Sequence, residues 1–310
     1  MYIFAQQEPP LGFVTLIFFA IGVCLIAWAG IIDRWRSGTP ILPYQPRRRV
    51  PWQFWDILAV WFFYVAGVGI AIYIAQYFFP LETIENSGKV AVERTSAAHP
   101  IVQLLAVKNW AALILCSTAA VVVAPMYEEF FFRVLLQGWL EKVERNWRRR
   151  LPMLRRLMPL AAMPIFISSI IFAGQHFRTK GPVVKVEPFM LLLACDSIVK
   201  ILSIVFGIVF IRWRVGASAV DMGWAPGKSL ADVRLGLITF VAIAAPIYGS
   251  QMAASLLLPK QYAPDPIAIF FFAIALGLLY YRTHRAAPSV ALHMILNASS
   301  LSMVLLWGGG

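Results

Sequence analysis

An all-α membrane protein, a polytopic bundle of about eight transmembrane helices, is the fold class this sequence predicts. Two observations carry the prediction. Of 310 residues, 60% are hydrophobic and only 14% charged, with a mean hydropathy of +0.73, whereas soluble domains carry about 25% charged residues. The apolar residues are also gathered into stretches near the roughly 20 residues that cross a hydrocarbon core. They lie at 11–32, 55–79, 109–140, 164–178, 189–211, 235–257, 266–281 and 287–307.

The first stretch is preceded by Glu8 and no basic residue, which reads as a retained span rather than a cleaved signal peptide. The third is overlong and contains Pro125, so it is expected to kink or to run into a second short helix. Leu151 to Pro164, with Pro152, Pro159, Arg155 and Arg156, reads as an interfacial connector. No internal repeat or low-complexity linker divides the chain. The expected organisation is an N-terminal transmembrane region of two spans (1–108), a core from 109 to 307, and a Gly308–Gly310 tail.

The net charge of +12 raises nucleic-acid binding, but the basic residues lie between apolar spans, the pattern of the positive-inside rule, and no nucleic-acid partner is expected. The loop after the first span holds Arg34, Arg36, Arg47, Arg48 and Arg49 against Asp33. The loop after the third holds Lys142, Arg145, Arg148, Arg149, Arg150, Arg155 and Arg156 against Glu141 and Glu144. Both are predicted cytoplasmic. Between the second and third spans, Lys89, Arg94 and Lys108 balance Glu82, Glu85 and Glu93, as expected outside. Alternation then places 212–234 and 282–286 inside and both termini on the non-cytoplasmic side. Trp35, Trp52, Trp55, Trp147 and Trp213 fall where an aromatic belt forms. Cys24, Cys116 and Cys195 sit in apolar spans and read as small packing residues rather than a disulfide framework or thiolate metal site.

Ionisable residues interrupt these apolar stretches: Glu128 and Glu129 with Arg133, then His176, then His293 with Asn297. Such groups are costly at membrane depth unless they face a partner or a wet cavity, so three spans carrying them point to one shared internal site. Glu129 and Arg133 are i,i+4, as are Phe172 and His176, and His293 and Asn297. Glu128 and Glu129 are about 100° apart on a helix, so one can face a cavity while its neighbour pairs with arginine. Counted from the predicted cytoplasmic ends of their spans, near Glu141, Pro164 and Ala287, Glu128, Glu129 and His176 are each roughly 18 Å deep, and His293 and Asn297 roughly 9 and 15 Å deep. A carboxylate beside a neutral imidazole can take a proton from water, and a second His with Asn can donate to an oxyanion. Asp196 and Lys200, i,i+4 in the fifth span, read as local charge cancellation. Phe130–Phe132 reads as lipid or packing surface.

Glu128–Arg133 fits the pattern EExxxR, Phe172–His176 fits FxxxH, and His293–Asn297 fits HxxxN. In this order on separate apolar helices, they resemble the CAAX protease and bacteriocin-processing family of intramembrane proteases. That family includes type II CAAX prenyl endopeptidases and lysostaphin-resistance-like proteins, and the motif-bearing region here runs from about 109 to 307. The resemblance implies that Glu128 and His176 activate the attacking water, that His293 and Asn297 form the oxyanion hole, and that Glu129, Arg133 and Phe172 support them. It also implies a membrane-embedded or lipidated peptide as substrate, either a prenylated CAAX C-terminus or a leader peptide, with the lipid bilayer as surroundings.

Zinc is the rival chemistry, with Glu128, His176 and His293 as its ligands. The chain has no HExxH, however, and Asn297 is a poor zinc ligand, so metal-independent hydrolysis without a cofactor is the favoured expectation. The non-enzymatic alternative is a membrane scaffold or immunity protein of the same fold. A transporter with a proton relay is disfavoured, because matched halves with broken helices are not evident.

Overall fold

In a bilayer, apolar runs of this length satisfy their backbone hydrogen bonds only as helices or closed barrels. The computed structural model describes residues 11–45, 49–78, 110–176, 186–225, 227–257 and 265–307, and every regular element among them is helical. Arg47, Arg48, the 79–109 loop with its balanced charges, the first ten residues and the glycine tail lie outside the described residues. In chain order the helices are α1 (Leu11–Arg36), α2 (Phe54–Phe78), α3 (Trp110–Arg150), α4 (Pro152–Leu157) and α5 (Ala162–Gln175). They continue with α6 (Val186–Val215), α7 (Ser229–Leu257), α8 (Asp265–Thr283) and α9 (Ala286–Trp307).

Six of these, α1, α2, α3, α6, α7 and α8, are long and apolar enough to cross a membrane, against the about eight expected. The remaining two stretches do form helices. With 14 residues, α5 covers roughly 21 Å, short of the roughly 30 Å hydrocarbon core, because it ends at His176. With 22 residues, α9 covers roughly 33 Å, the length of a span, although it is not among the six. Nor does α3 break at Pro125. It runs continuously for 41 residues and absorbs the proline through two π-helical stretches, Ala119–Val123 and Glu129–Gln137.

Two prolines shape the packing by stripping a donor from the helix ladder. In α7, Pro246 leaves the Ala242 carbonyl without its i+4 N–H, and α1 supplies the replacement. Trp28 Nε1 donates to Ala242 O at 2.8 Å and Cys24 Sγ lies 3.6 Å from the same oxygen. This anchors the first helix to the core bundle. Elsewhere small residues allow close crossings. A Cβ on Gly236 of α7 would meet Leu292 N of α9 at 2.9 Å, and one on Gly207 of α6 would meet the Phe130 ring of α3 at 2.8 Å.

The main core forms around α3, where Phe130–Phe132, Val134 and Leu135 pack with Trp52, Phe172 and Tyr280. Phe130–Phe132 is therefore packing surface and not a lipid-facing face. Trp35, Trp55, Trp147 and Trp213 are exposed, as a belt requires, but Trp52 is fully buried and donates from Nε1 to Leu135 O at 3.1 Å. At the arginine-rich end the bundle is clamped by ion pairs: Asp56 with Arg214, Glu144 with Arg148, and Asp232 with Arg285. The connector is held down there too. Ala161 has φ +65° and its N–H reaches Glu144 Oε2, while Arg148 Nη2 donates to the carbonyls of Met158 and Pro159.

Candidate active site

Pro125 sets the local form of α3 just ahead of the two glutamates. The Ala124 N–H donates to Ala119 O, an i→i+5 step. In that register the Ala120 carbonyl would take the N–H of residue 125, which proline lacks. Asn297 of α9 fills the vacancy, donating from Nδ2 to Ala120 O at 2.8 Å. The second π stretch begins at Glu129, and all of its residues are buried among the surrounding helices. Such widened turns occur frequently at functional sites.

Within that stretch Glu129 and Arg133 have fully buried side chains, with Arg133 Nε 3.5 Å from Glu129 Oε2. Arg133 Nη1 donates to Ser168 Oγ on α5 at 3.1 Å, and its guanidinium carbon lies 5.3 Å from the centre of the Phe172 ring. The other Glu129 oxygen, Oε1, is 3.0 Å from His293 Nδ1. A carboxylate paired with arginine is an acceptor, so His293 carries its proton on Nδ1 and turns Nε2 toward Glu128.

His176 reaches the same orientation by a different route. It is the residue on which α5 stops, with φ −92° and its N–H on Ala173 O. The last carbonyls of a helix lack intrahelical donors, and the His176 ring folds back to serve one of them, Nδ1 to Phe172 O at 2.9 Å. A carbonyl only accepts, so Nδ1 bears the proton and Nε2 is bare. Glu128 Oε2 then lies 3.9 Å from His176 Nε2 and 3.8 Å from His293 Nε2. These separations exceed a direct hydrogen bond and suit a small bridging molecule such as water. Glu128 and His176 are partly accessible, whereas Glu129 and Arg133 are sealed. Phe172 joins the parts: its ring centre lies 4.9 Å from His176, 5.8 Å from His293 and 5.2 Å from Phe132.

The structure thus brings Glu128, Glu129, Arg133, Phe172, His176 and His293 into one cluster. Asn297 lies one helical turn along α9 with one amide hydrogen committed to Ala120 O. If that bond is the main task of Asn297, Asn297→Ala should lower stability by about 1–3 kcal/mol through the orphaned carbonyl. Pro125→Ala, which restores an N–H, should recover most of the loss in the double variant. Unfolding of the four proteins in detergent checks this. Additive losses would show that Asn297 does not act through the proline vacancy.

Three contributors were not singled out from the sequence. Ser168, which holds Arg133, sits in an unremarkable apolar run, as does Phe272, whose ring meets His293 edge-on at 5.1 Å. Gln137 is buried and donates to Gly277 O at 3.0 Å and Glu141 Oε1 at 3.2 Å, continuing the i,i+4 polar stripe from Glu129 and Arg133. That stripe was the one available clue. Zinc requires ligand atoms at roughly 2.0–2.2 Å from a common point, and among the described residues no group of three or more His, Cys, Asp or Glu is so placed.

No curated protein and no solved structure matches the chain. Residues 109–299, which include α3 and the Glu128, His176 and His293 cluster, match the family described as type II CAAX prenyl endopeptidase Rce1-like. With its matched region covering more than half of an apolar, multi-helix chain, this protein belongs to the Rce1-like family of CAAX-type intramembrane proteases and is an integral, multi-pass membrane protein.

Proposed function

We propose that the protein hydrolyses a peptide bond near the C-terminus of a prenylated, CAAX-type substrate, using Glu128 and His176 to activate water. The observation that carries this reading is the convergence of Glu128 Oε2 on two imidazole Nε2 atoms at 3.8 and 3.9 Å. Three acceptors facing one space need hydrogens between them, and one water donates two. Its hydrogens go to Glu128 and His176, leaving its oxygen lone pair for a carbonyl carbon. Glu128 takes the proton as the C–O bond forms and returns it to the departing amine as the C–N bond breaks. His293, which takes a proton on Nε2 from solvent as substrate binds and is backed by the Glu129 carboxylate, donates from Nε2 to the developing oxyanion and keeps that proton when the oxyanion collapses. The second amide hydrogen of Asn297 assists it. Glu129, Arg133 and Phe172 fix the His293 ring. The step uses no metal or other cofactor, and both termini lie on the non-cytoplasmic side.

The test is cleavage of a farnesylated CAAX peptide by the purified protein in bilayers, with and without a strong zinc chelator. Chelator-resistant cleavage that falls in His176→Ala supports the reading. Cleavage lost on chelation and recovered with zinc would replace it with a metal-dependent mechanism. No cleavage would favour a scaffold of the same fold.

A further inference from the structure

A second polar group lies in the membrane beside the cluster. On α6, Lys200 Nζ donates to Asp196 Oδ2 at 2.6 Å, and Tyr64 of α2 donates its hydroxyl to Asp196 Oδ1 at 3.0 Å. The Tyr64 ring lies 4.7 Å from that of Tyr127, the residue preceding Glu128. Local charge cancellation explains the ion pair but not its openness. The Glu129–Arg133 pair is 0% exposed on both sides, whereas the Lys200 and Asp196 side chains are 17% and 30% exposed. A charge left accessible at membrane depth faces a cavity or ligand.

We infer that Lys200 binds the α-carboxylate of the peptide substrate and so sets the distance from the C-terminus to the cleaved bond. This rests on the protease reading above. Lys200 has three donor hydrogens, and among the described residues Asp196 is the only partner it is seen to engage. Asp196 neutralises the ammonium in the empty site, and the Tyr64 hydroxyl keeps Asp196 in place when Lys200 turns to a ligand. The spacing suits a short peptide end. α6 runs parallel to α3, since Met190 and Leu193 pack against Ala112 and Cys116 while Gly207 meets Phe130. At 1.5 Å per residue, Lys200 is therefore roughly 8–10 Å along the axis from Glu128. An extended chain advances up to roughly 3.3–3.6 Å per residue, so about three residues separate carboxylate and scissile bond.

The experiment compares one farnesylated peptide with a free C-terminal carboxylate against its C-terminal amide, on wild type, Lys200→Gln and Lys200→Arg. Wild type should prefer the carboxylate by roughly ten- to hundredfold in kcat/KM, the effect of one charge-assisted bond. Lys200→Gln should lose that preference through KM while cleaving the amide as wild type does, and Lys200→Arg should retain part of it. Wild type cleaving both peptides equally would overturn the inference and leave the protease reading intact. So would a Lys200→Gln protein that keeps the preference or loses both peptides alike. Failure of wild type to cleave either peptide would remove both.

Discussion

Glu128→Gln is expected to lower the rate of peptide cleavage by about 10²–10⁴-fold, the usual contribution of a positioned general base, with little change in stability. Glutamine keeps the size of the side chain and an oxygen facing the imidazoles but cannot take a proton from water. Glu128 is partly accessible and lies beyond direct hydrogen-bond range of both Nε2 atoms, so its neutralisation orphans no buried partner. Steady-state cleavage alongside thermal unfolding of the same preparation separates the two effects. Cleavage at the wild-type rate would remove Glu128 from the chemistry.

Arg133→Met is expected to do the opposite, harming stability first. It leaves the Glu129 carboxylate buried without its cation, and breaking such a pair costs about 3–5 kcal/mol. For a chain of this size that corresponds to a drop in Tm on the order of 10 °C. Activity should fall as well, because Glu129 orients His293 through the 3.0 Å contact to Nδ1. The double variant Glu129→Gln/Arg133→Met removes both charges and should regain much of the stability but not the activity. Thermal unfolding and cleavage on the three variants check this. A double variant no more stable than Arg133→Met would mean that the pair is not the source of the loss.

Much of the site was legible in the sequence because helical spacing is local and membrane depth makes polar residues conspicuous. Glu129 with Arg133 and Phe172 with His176 both meet as i,i+4 neighbours, and their spans converge. The π register of α3 was not legible, although Pro125 marked the place. Which carbonyl is orphaned depends on the ladder around it, and its replacement donor, Asn297, comes from 177 residues along the chain. Trp52 sits at a span boundary like the belt tryptophans, and only the packing of α3 shows that it reaches Leu135 O instead. Of the eight apolar stretches, the fourth fell short of a span because α5 stops where His176 turns back on its own helix. Tyr64 belongs to a helix that no motif marked and that lies outside the family-matched region, yet it reaches across to Asp196 within that region.

The most direct test of water activation by Glu128 and His176 is mass spectrometry of a farnesylated CAAX peptide incubated with the wild-type protein in H₂¹⁸O containing chelator. The account predicts release of a short C-terminal peptide and one ¹⁸O atom in the new carboxyl group of the lipidated product. An intact peptide, or cleavage that begins only when zinc is added, would contradict it.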